Sequence, residues 1–160
     1  MTATRLTVNG TQLADDVPPR LSLADYLREG RNLTGTHLGC EHGVCGACTI
    51  LVDGEPARAC LMLAVACDGR DIRTIEGFGD DPVMAALRAA FHRRHGLQCG
   101  FCTPAMLITA HDLIRRGKTG SEAEIRRGLA GNICRCTGYT NIVAAILDAA
   151  AAAIGASDAE

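Results

Sequence analysis

The pattern of apolar and polar residues changes at residues 77–82, where two glycines and a proline interrupt the chain. Before this segment, short β-like runs flank turn dipeptides, and after it apolar residues recur at helical spacing. We therefore predict two domains, residues 1–78 and residues 79–160. Together they make an α+β protein, with a small mixed sheet followed by a bundle of helices.

The first half contains two predicted β-hairpins, one helix and a last strand. The hairpins join residues 5–8 to 12–14 through Asn9-Gly10 and residues 49–52 to 56–59 through Asp53-Gly54, dipeptides that tolerate positive φ. Ser22, with an acidic residue three positions later, predicts the start of a short helix that buries Leu23 and Leu27 and ends at Gly30. Residues 72–75 predict the last strand.

Four helices are predicted in the second half. Their start signals are Asp81-Pro82, Thr103-Pro104, Ser121 within a capping box, and Thr140. We expect the first helix to end near His95 and the second at residues 115–117, where two arginines precede a glycine. Apolar residues at helical spacing predict the buried faces, and these are Val83, Leu87, Ala90 and Phe91, then Met106, Leu107, Ala110 and Ile114, then Ile142, Val143, Ile146 and Leu147.

Composition narrows the functional classes. The 160 residues carry a net charge of -2 that is spread along the chain, so no basic stripe predicts binding to nucleic acid. The apolar stretches are shorter than the roughly 20 residues that span a bilayer, and the N-terminus lacks the pattern of a secretory signal. We therefore expect a cytoplasmic protein. In that reducing compartment, nine cysteines predict metal ligands or redox groups rather than disulfides.

The first group of cysteines follows the ligand spacing of plant-type ferredoxins. Cys40, Cys45 and Cys48 form C-x4-C-x2-C, and Cys60 follows the second predicted hairpin. Three thiolates on one glycine-rich loop can surround a [2Fe-2S] cluster while the fourth returns from a neighbouring strand. A structural zinc site is the alternative, but three ligands within nine residues differ from the paired C-x2-C motifs that zinc prefers. His42 lies in this loop and is interpreted as a polar loop residue.

The second group combines C-x2-C, formed by Cys99 and Cys102, with C-x-C, formed by Cys134 and Cys136. Each pair precedes a predicted helix start, so free N–H groups and the positive helix ends would face an anionic cluster. Spacing alone leaves zinc open here, since two cysteine pairs also make a tetrahedral site. Cys67 has apolar neighbours and is predicted to be a buried, inert thiol. The other histidines, His37, His92, His95 and His111, show no partner pattern and are interpreted as structural or surface residues.

The cysteine motifs, in this order, resemble the iron–sulfur small subunit of the molybdenum hydroxylases, the xanthine oxidase family. They read C-x4-C-x2-C-x11-C, then Gln-Cys-Gly-Phe-Cys-Thr-Pro, then Gly-Asn-Ile-Cys-Arg-Cys-Thr-Gly-Tyr, within a match from about residue 8 to residue 146. The resemblance implies an N-terminal β-grasp domain, a C-terminal four-helix domain and one [2Fe-2S] cluster in each.

The resemblance also implies a function and partners. Electrons would pass one at a time from molybdenum, held by molybdopterin on a large subunit, through both clusters to FAD on a medium subunit. The residues that match Gln98 and Cys136 approach the pterin in relatives. A heterotrimer, or a dimer of heterotrimers, would perform the oxidation, with no substrate-converting site on this chain. The alternatives are a free-standing two-cluster carrier and a zinc-stapled interaction module.

Overall fold

The structure, a computed structural model, describes residues 1–157. Five strands within these residues form one mixed sheet in the order β2-β1-β5-β3-β4. Their bounds are Thr2–Val8 (β1), Thr11–Val17 (β2), Thr49–Val52 (β3), Glu55–Arg58 (β4) and Asp71–Arg73 (β5). The pair β1 and β5 is parallel and the other pairs are antiparallel. This ferredoxin-like sheet confirms the fold predicted for the first half.

Both predicted hairpin turns are confirmed. Asn9 and Gly10 have φ of 50° and 80°, and Asp53 and Gly54 have φ of 50° and 81°. Two consecutive residues with positive φ form the turn whose twist matches that of the flanking strands. The first hairpin extends further than predicted, through Thr2 and Val17.

The helix of the first half begins as predicted and then departs from α geometry. The Ser22 hydroxyl accepts a hydrogen bond from the Asp25 N–H, which starts helix α1 (Leu23–Asp25). A π-helical turn, Tyr26–Gly30, follows directly. Leu23 and Leu27 are fully buried against the sheet, as the spacing predicted.

The last strand lies one residue earlier than predicted and ends sooner, so the prediction of residues 72–75 is corrected to Asp71–Arg73. The Thr74 N–H donates to the Asn9 side-chain oxygen at 2.8 Å instead of continuing the ladder. Ile75 already belongs to a 3₁₀ turn, Ile75–Phe78. A side chain from the first hairpin therefore ends the strand.

The four predicted helices of the second half are confirmed. They are α2 (Pro82–Arg93), α3 (Thr103–Arg115), α4 (Glu122–Gly128) and α5 (Thr140–Ser157). Residues 158–160 of the predicted domain lie outside the described residues. The predicted apolar faces of α2, α3 and α5 pack into one core, which also takes in Leu51 of strand β3. No helix in residues 1–157 has the length and apolar character needed to cross a bilayer.

The predicted helix caps are confirmed at two positions and wrong at two, since Thr103 and Thr140 are each the first residue of the helix that they were predicted to cap. The side chain of Asp81 accepts from the Met84 N–H, and that of Ser121 accepts from the Glu124 N–H. Thr103, by contrast, is already inside α3, and its hydroxyl is buried without a partner. Cys102 occupies the capping position instead, so the end of this helix lies directly beside a candidate metal ligand.

Asp81 joins helix α2 to its surroundings through three groups. Its carboxylate lies 2.9 Å from the Met84 N–H, 3.0 Å from His111 Nε2 and 3.4 Å from Arg73. Burial opposes ionisation of this carboxyl, but these three groups outweigh burial and lower its pKa. The carboxylate therefore stabilises the folded chain above its unfolded-state pKa, and this contribution is lost as pH falls through the lower folded-state pKa.

We expect Asp81→Ala to lower the free energy of unfolding at pH 7 by roughly 1–2 kcal/mol, because a capping side chain is lost. The difference from the unchanged protein should shrink as pH falls into the acid range. Denaturant unfolding at several pH values measures both effects. Asp80→Ala is the matched control because Asp80 is exposed. An equal loss in both variants would contradict the assigned role of Asp81.

Candidate metal centres

The first candidate centre is built on the loop that precedes strand β3. Cys40 and Cys45 lie half-buried on this loop, and Cys48 at its end is 2% exposed. Cys60 lies in the 3₁₀ turn Ala59–Leu61 that follows β4. The Ala59 N–H donates to the Cys48 carbonyl at 3.2 Å, so the second hairpin brings the fourth cysteine to the loop.

Backbone N–H groups point at the sulfur atoms of this loop. The N–H groups of His42 and Cys45 each lie 3.4 Å from the Cys40 sulfur, and the Ala47 N–H lies 3.5 Å from the Cys45 sulfur. The N–H groups of Cys45 and then His42 lower the pKa of Cys40 to about 6. Such donors stabilise a thiolate and adjust the potential of a cluster that it binds. His42 thus contributes its backbone, in agreement with its interpretation as a loop residue.

Neighbouring cysteines act on the ionisation of two thiols at this centre, Cys45 on Cys40 and Cys60 on Cys48. Burial, followed by the neighbouring Cys60, raises the pKa of Cys48 to about 11. The Cys48 thiol is therefore kept protonated at neutral pH until a metal takes the place of its proton.

The second candidate centre lies at the start of α3. Cys102 precedes the first helical residue, and its thiol contacts that of Cys134 in the loop before α5. Burial, followed by Cys134, raises the pKa of Cys102 to about 12. Burial also acts on Cys134, but the hydroxyl and N–H of Thr137 outweigh it and lower the pKa of that thiol. Both loops that carry the predicted C-x2-C and C-x-C motifs are thus brought together.

Gln98 and Cys136 lie on the outer side of this centre. Cys99 and Cys136 are exposed, whereas Cys102 is half-buried and Cys134 is buried. The Gln98 side-chain N–H donates to the Cys136 carbonyl at 3.1 Å, which links the two cysteine loops. The same exposed edge carries Phe101, which is 48% exposed.

The donor set of each centre, four cysteines with no other ligand type, suits a two-iron cluster. A four-cysteine zinc site needs all four sulfur atoms around a single point. A [2Fe-2S] cluster with four cysteines has two irons, so two pairs of thiols suit it.

Two further expectations from the sequence are confirmed. Cys67 is fully buried, its sulfur lies 3.6 Å from the Leu63 carbonyl, and burial raises the pKa of its thiol. His111 is a structural residue, buried between Asp81 and the edge of the Phe78 ring. His37 packs on Phe101 and hydrogen-bonds to its carbonyl at 2.7 Å, which joins the two domains.

Sequence reasoning missed the residues that join the two centres. Asn132 is 3% exposed and hydrogen-bonds to Gly46 of the first loop, while Arg58 donates to the Gly131 carbonyl at 2.6 Å. The sequence gives one indirect signal, which is a pair of glycines, Gly46 and Gly131, beside cysteine motifs. A glycine in a ligand loop can serve either to let the loop wrap a cluster or to let two backbones approach closely. The sequence does not show which of these two roles the glycines have.

A ferredoxin-like sheet and a helical domain, each presenting four cysteines, define the class of two-centre iron–sulfur proteins. Comparisons with known proteins support this class. A family model described as "2Fe-2S iron-sulfur cluster binding domain" matches residues 6–74, and one described as "[2Fe-2S] binding domain" matches residues 74–147.

Named relatives narrow the class to a family. The chain is 56% identical over 144 residues to the caffeine dehydrogenase subunit gamma of a Pseudomonas species, a match that covers 88% of this chain and 86% of the relative. It is 51% identical over 142 residues to the nicotine 6-hydroxylase small subunit of Paenarthrobacter nicotinovorans, covering 89% and 86%. In the crystal structure of quinoline 2-oxidoreductase from Pseudomonas putida 86, a chain 48% identical superimposes with a TM-score of 0.90 over 96% of each chain.

The chain belongs to the family of iron–sulfur subunits of the molybdenum hydroxylases. It is the electron-transfer subunit of an oxidoreductase and binds two [2Fe-2S] clusters. The resemblance found in the sequence is thereby confirmed.

Proposed function

We propose that Cys40, Cys45, Cys48 and Cys60 bind one cluster, and that Cys99, Cys102, Cys134 and Cys136 bind the other. The observation that carries this proposal is the convergence of the cysteine loops in each domain, through the bond from the Ala59 N–H to the Cys48 carbonyl in the first and from the Gln98 side chain to the Cys136 carbonyl in the second. Cys99 and Cys136 then form the outer pair of the second centre, and Gln98 connects their loops.

Each cluster, when bound, accepts and releases one electron at a time. The groups around the sulfur atoms determine the reduction potential of each cluster. Three N–H contacts reach the sulfurs of Cys40 and Cys45 at the first centre, whereas burial dominates at Cys102 of the second centre. N–H donors favour the more negative, reduced state, and burial disfavours it. The chain therefore provides two environments in which cluster potentials can differ.

We place the second centre against a large molybdopterin-binding subunit and the first toward a medium FAD-binding subunit. Gln98 and Cys136 would contact the pterin, since both belong to the exposed edge of the second centre. Apolar side chains are exposed beside both centres, and these are Val44 and Leu61 at the first and Phe101 and Ile133 at the second. Such residues suit burial against partner subunits. The assembly would be a heterotrimer or a dimer of heterotrimers.

We further propose a division between residues 78 and 79 and a cytoplasmic location. The two matched family models meet at residue 74, just before the 3₁₀ turn that leads into α2. All nine cysteines lie within the described residues and none of them forms a disulfide, which is the state expected in a reducing compartment.

Purification of the tagged chain from its native host tests the proposal. We expect a stable complex that contains molybdenum and flavin, with about four irons per copy of this chain and matching acid-labile sulfide. A clean monomer with both clusters would favour the free-standing carrier. Zinc without iron would contradict the proposal and favour the interaction module.

A further inference from the structure

The loops that carry the two centres approach at a pair of glycines. Gly46 has φ of +74°, and a Cβ atom on it would overlap the carbonyl oxygen of Gly131 and lie 3.0 Å from the Asn132 Cα. Gly46 lies between Cys45 and Cys48, and Gly131 lies three residues before Cys134. The two ligand loops are therefore in backbone contact, with no side chain between them at this point.

One backbone hydrogen bond joins the ligand loops of the two centres. The Ile133 N–H donates to the Cys45 carbonyl at 2.8 Å, and the next residue along the chain is Cys134. Movement of either loop would stretch this bond. The separation of the two centres thus depends on what holds residues 131–134 against the first loop.

Asn132 holds the loops together with every polar group of its side chain. Its amide N–H groups donate to the Gly46 carbonyl and the Thr49 hydroxyl oxygen, both at 3.1 Å. Its amide oxygen accepts from the Thr109 hydroxyl of helix α3 at 3.1 Å. The side chain therefore ties three segments together in a site that is 3% exposed to water.

The surrounding hydrogen bonds require an amide at this position. The Thr49 hydroxyl already donates its proton to the Gly46 carbonyl at 2.6 Å. An approaching group must then supply protons to both oxygens, Gly46 O and Thr49 Oγ1, while accepting one from Thr109. A carboxylate of the same shape would place an oxygen against these two acceptors, and an apolar side chain would remove one donor from each of them.

Asn132 is itself held in place from the other side. The Tyr139 hydroxyl donates to the Asn132 carbonyl at 3.3 Å and accepts from the Cys134 N–H at 2.9 Å. Arg58 of strand β4 donates to the Gly131 carbonyl at 2.6 Å. The segment from Gly131 to Cys134 therefore has fixed contacts with both domains.

We propose that Asn132 is a positioning residue that fixes the separation and orientation of the two centres, and so their electronic coupling. This inference rests on the proposed function, because it assumes that both centres hold clusters. It assigns a role to a residue that ligates neither cluster and that lies outside the expected pterin contact.

Asn132→Asp in the purified complex tests this role. Two reduced clusters on loops in backbone contact should split or broaden each other's EPR lines, and the splitting depends steeply on their separation. We expect the variant to keep its iron content and both sets of signals but to lose or change the splitting. Thr109→Val, which removes only the bond to the amide oxygen, should change the splitting in the same direction by a smaller amount.

Asn141→Asp is the matched control because Asn141 is exposed on α5, and its splitting should equal that of the unchanged protein. Unchanged splitting in Asn132→Asp, even with lower thermal stability, would overturn the inference and leave the proposed function intact. Loss of a cluster in that variant would also overturn it, since Asn132 would then be needed to form a centre. Absence of one cluster from the unchanged protein would instead refute the proposed function.

Discussion

Replacing Cys45 by Ser is expected to remove one of the two sets of EPR signals of the reduced protein and to leave the other largely intact. Cys45 lies on the loop before β3, in a different domain from the thiols at the start of α3. Its sulfur accepts the Ala47 N–H at 3.5 Å, and its own N–H lies 3.4 Å from the Cys40 sulfur. A serine hydroxyl replaces the soft thiolate that iron–sulfur clusters require.

Cys136→Ser should show the reverse pattern and lose the signals of the second centre. It should also alter the molybdenum signal, because Cys136 is exposed at the edge proposed to meet the pterin. EPR spectra and iron content of both variants measure the effect, with about half the iron expected in each.

The ninth cysteine provides a matched control for both replacements. Cys67→Ser makes the same chemical change at a buried thiol, where a hydroxyl can keep the bond to the Leu63 carbonyl. Both signal sets and the full iron content should remain. Disappearance of both sets in Cys45→Ser or in Cys136→Ser would contradict the assignment of one centre to each domain.

Gly46→Ala is expected to destabilise the protein strongly because two costs coincide. The φ of +74° is unfavourable for any residue with a Cβ, at about 1–3 kcal/mol. The added methyl group would also overlap the Gly131 carbonyl, and overpacking of this kind costs about 1–3 kcal/mol more. The two loops would have to separate, which should weaken the magnetic interaction between the clusters as well.

Gly54→Ala separates these two costs. Gly54 has φ of +81°, and a Cβ on it would have no neighbour within 4 Å. The Gly54→Ala variant should bear only the cost of the unfavourable φ. The free energy of unfolding should therefore fall further in Gly46→Ala than in Gly54→Ala. Equal values in denaturant unfolding would show that the contact between Gly46 and Gly131 contributes nothing.

Local chemistry explains which elements were predictable. Asn9-Gly10 and Asp53-Gly54 form the expected turns because their residues adopt positive φ readily. Asp81 and Ser121 cap their helices because a short oxygen-bearing side chain reaches an N–H three residues ahead. Thr103 failed as a cap since Cys102, on the adjoining ligand loop, takes that position.

The sequence by itself determined the two-domain order, the turns, most helix starts and the spacing of the eight candidate ligands. These features depend on a few neighbouring residues. Their backbone preferences and side-chain hydrogen bonds involve only residues within one turn or loop. The spacing was also specific enough to identify the family.

Only the tertiary structure decided how the thiols pair and how the centres meet. The bond from Asn132 to Gly46 joins residues 86 positions apart, and that from Asn9 to Thr74, which ends β5, joins residues 65 apart. No local preference encodes such contacts, because they form only when the packed domains bring distant segments together. The distance between the two centres therefore depends on how the two domains pack against each other.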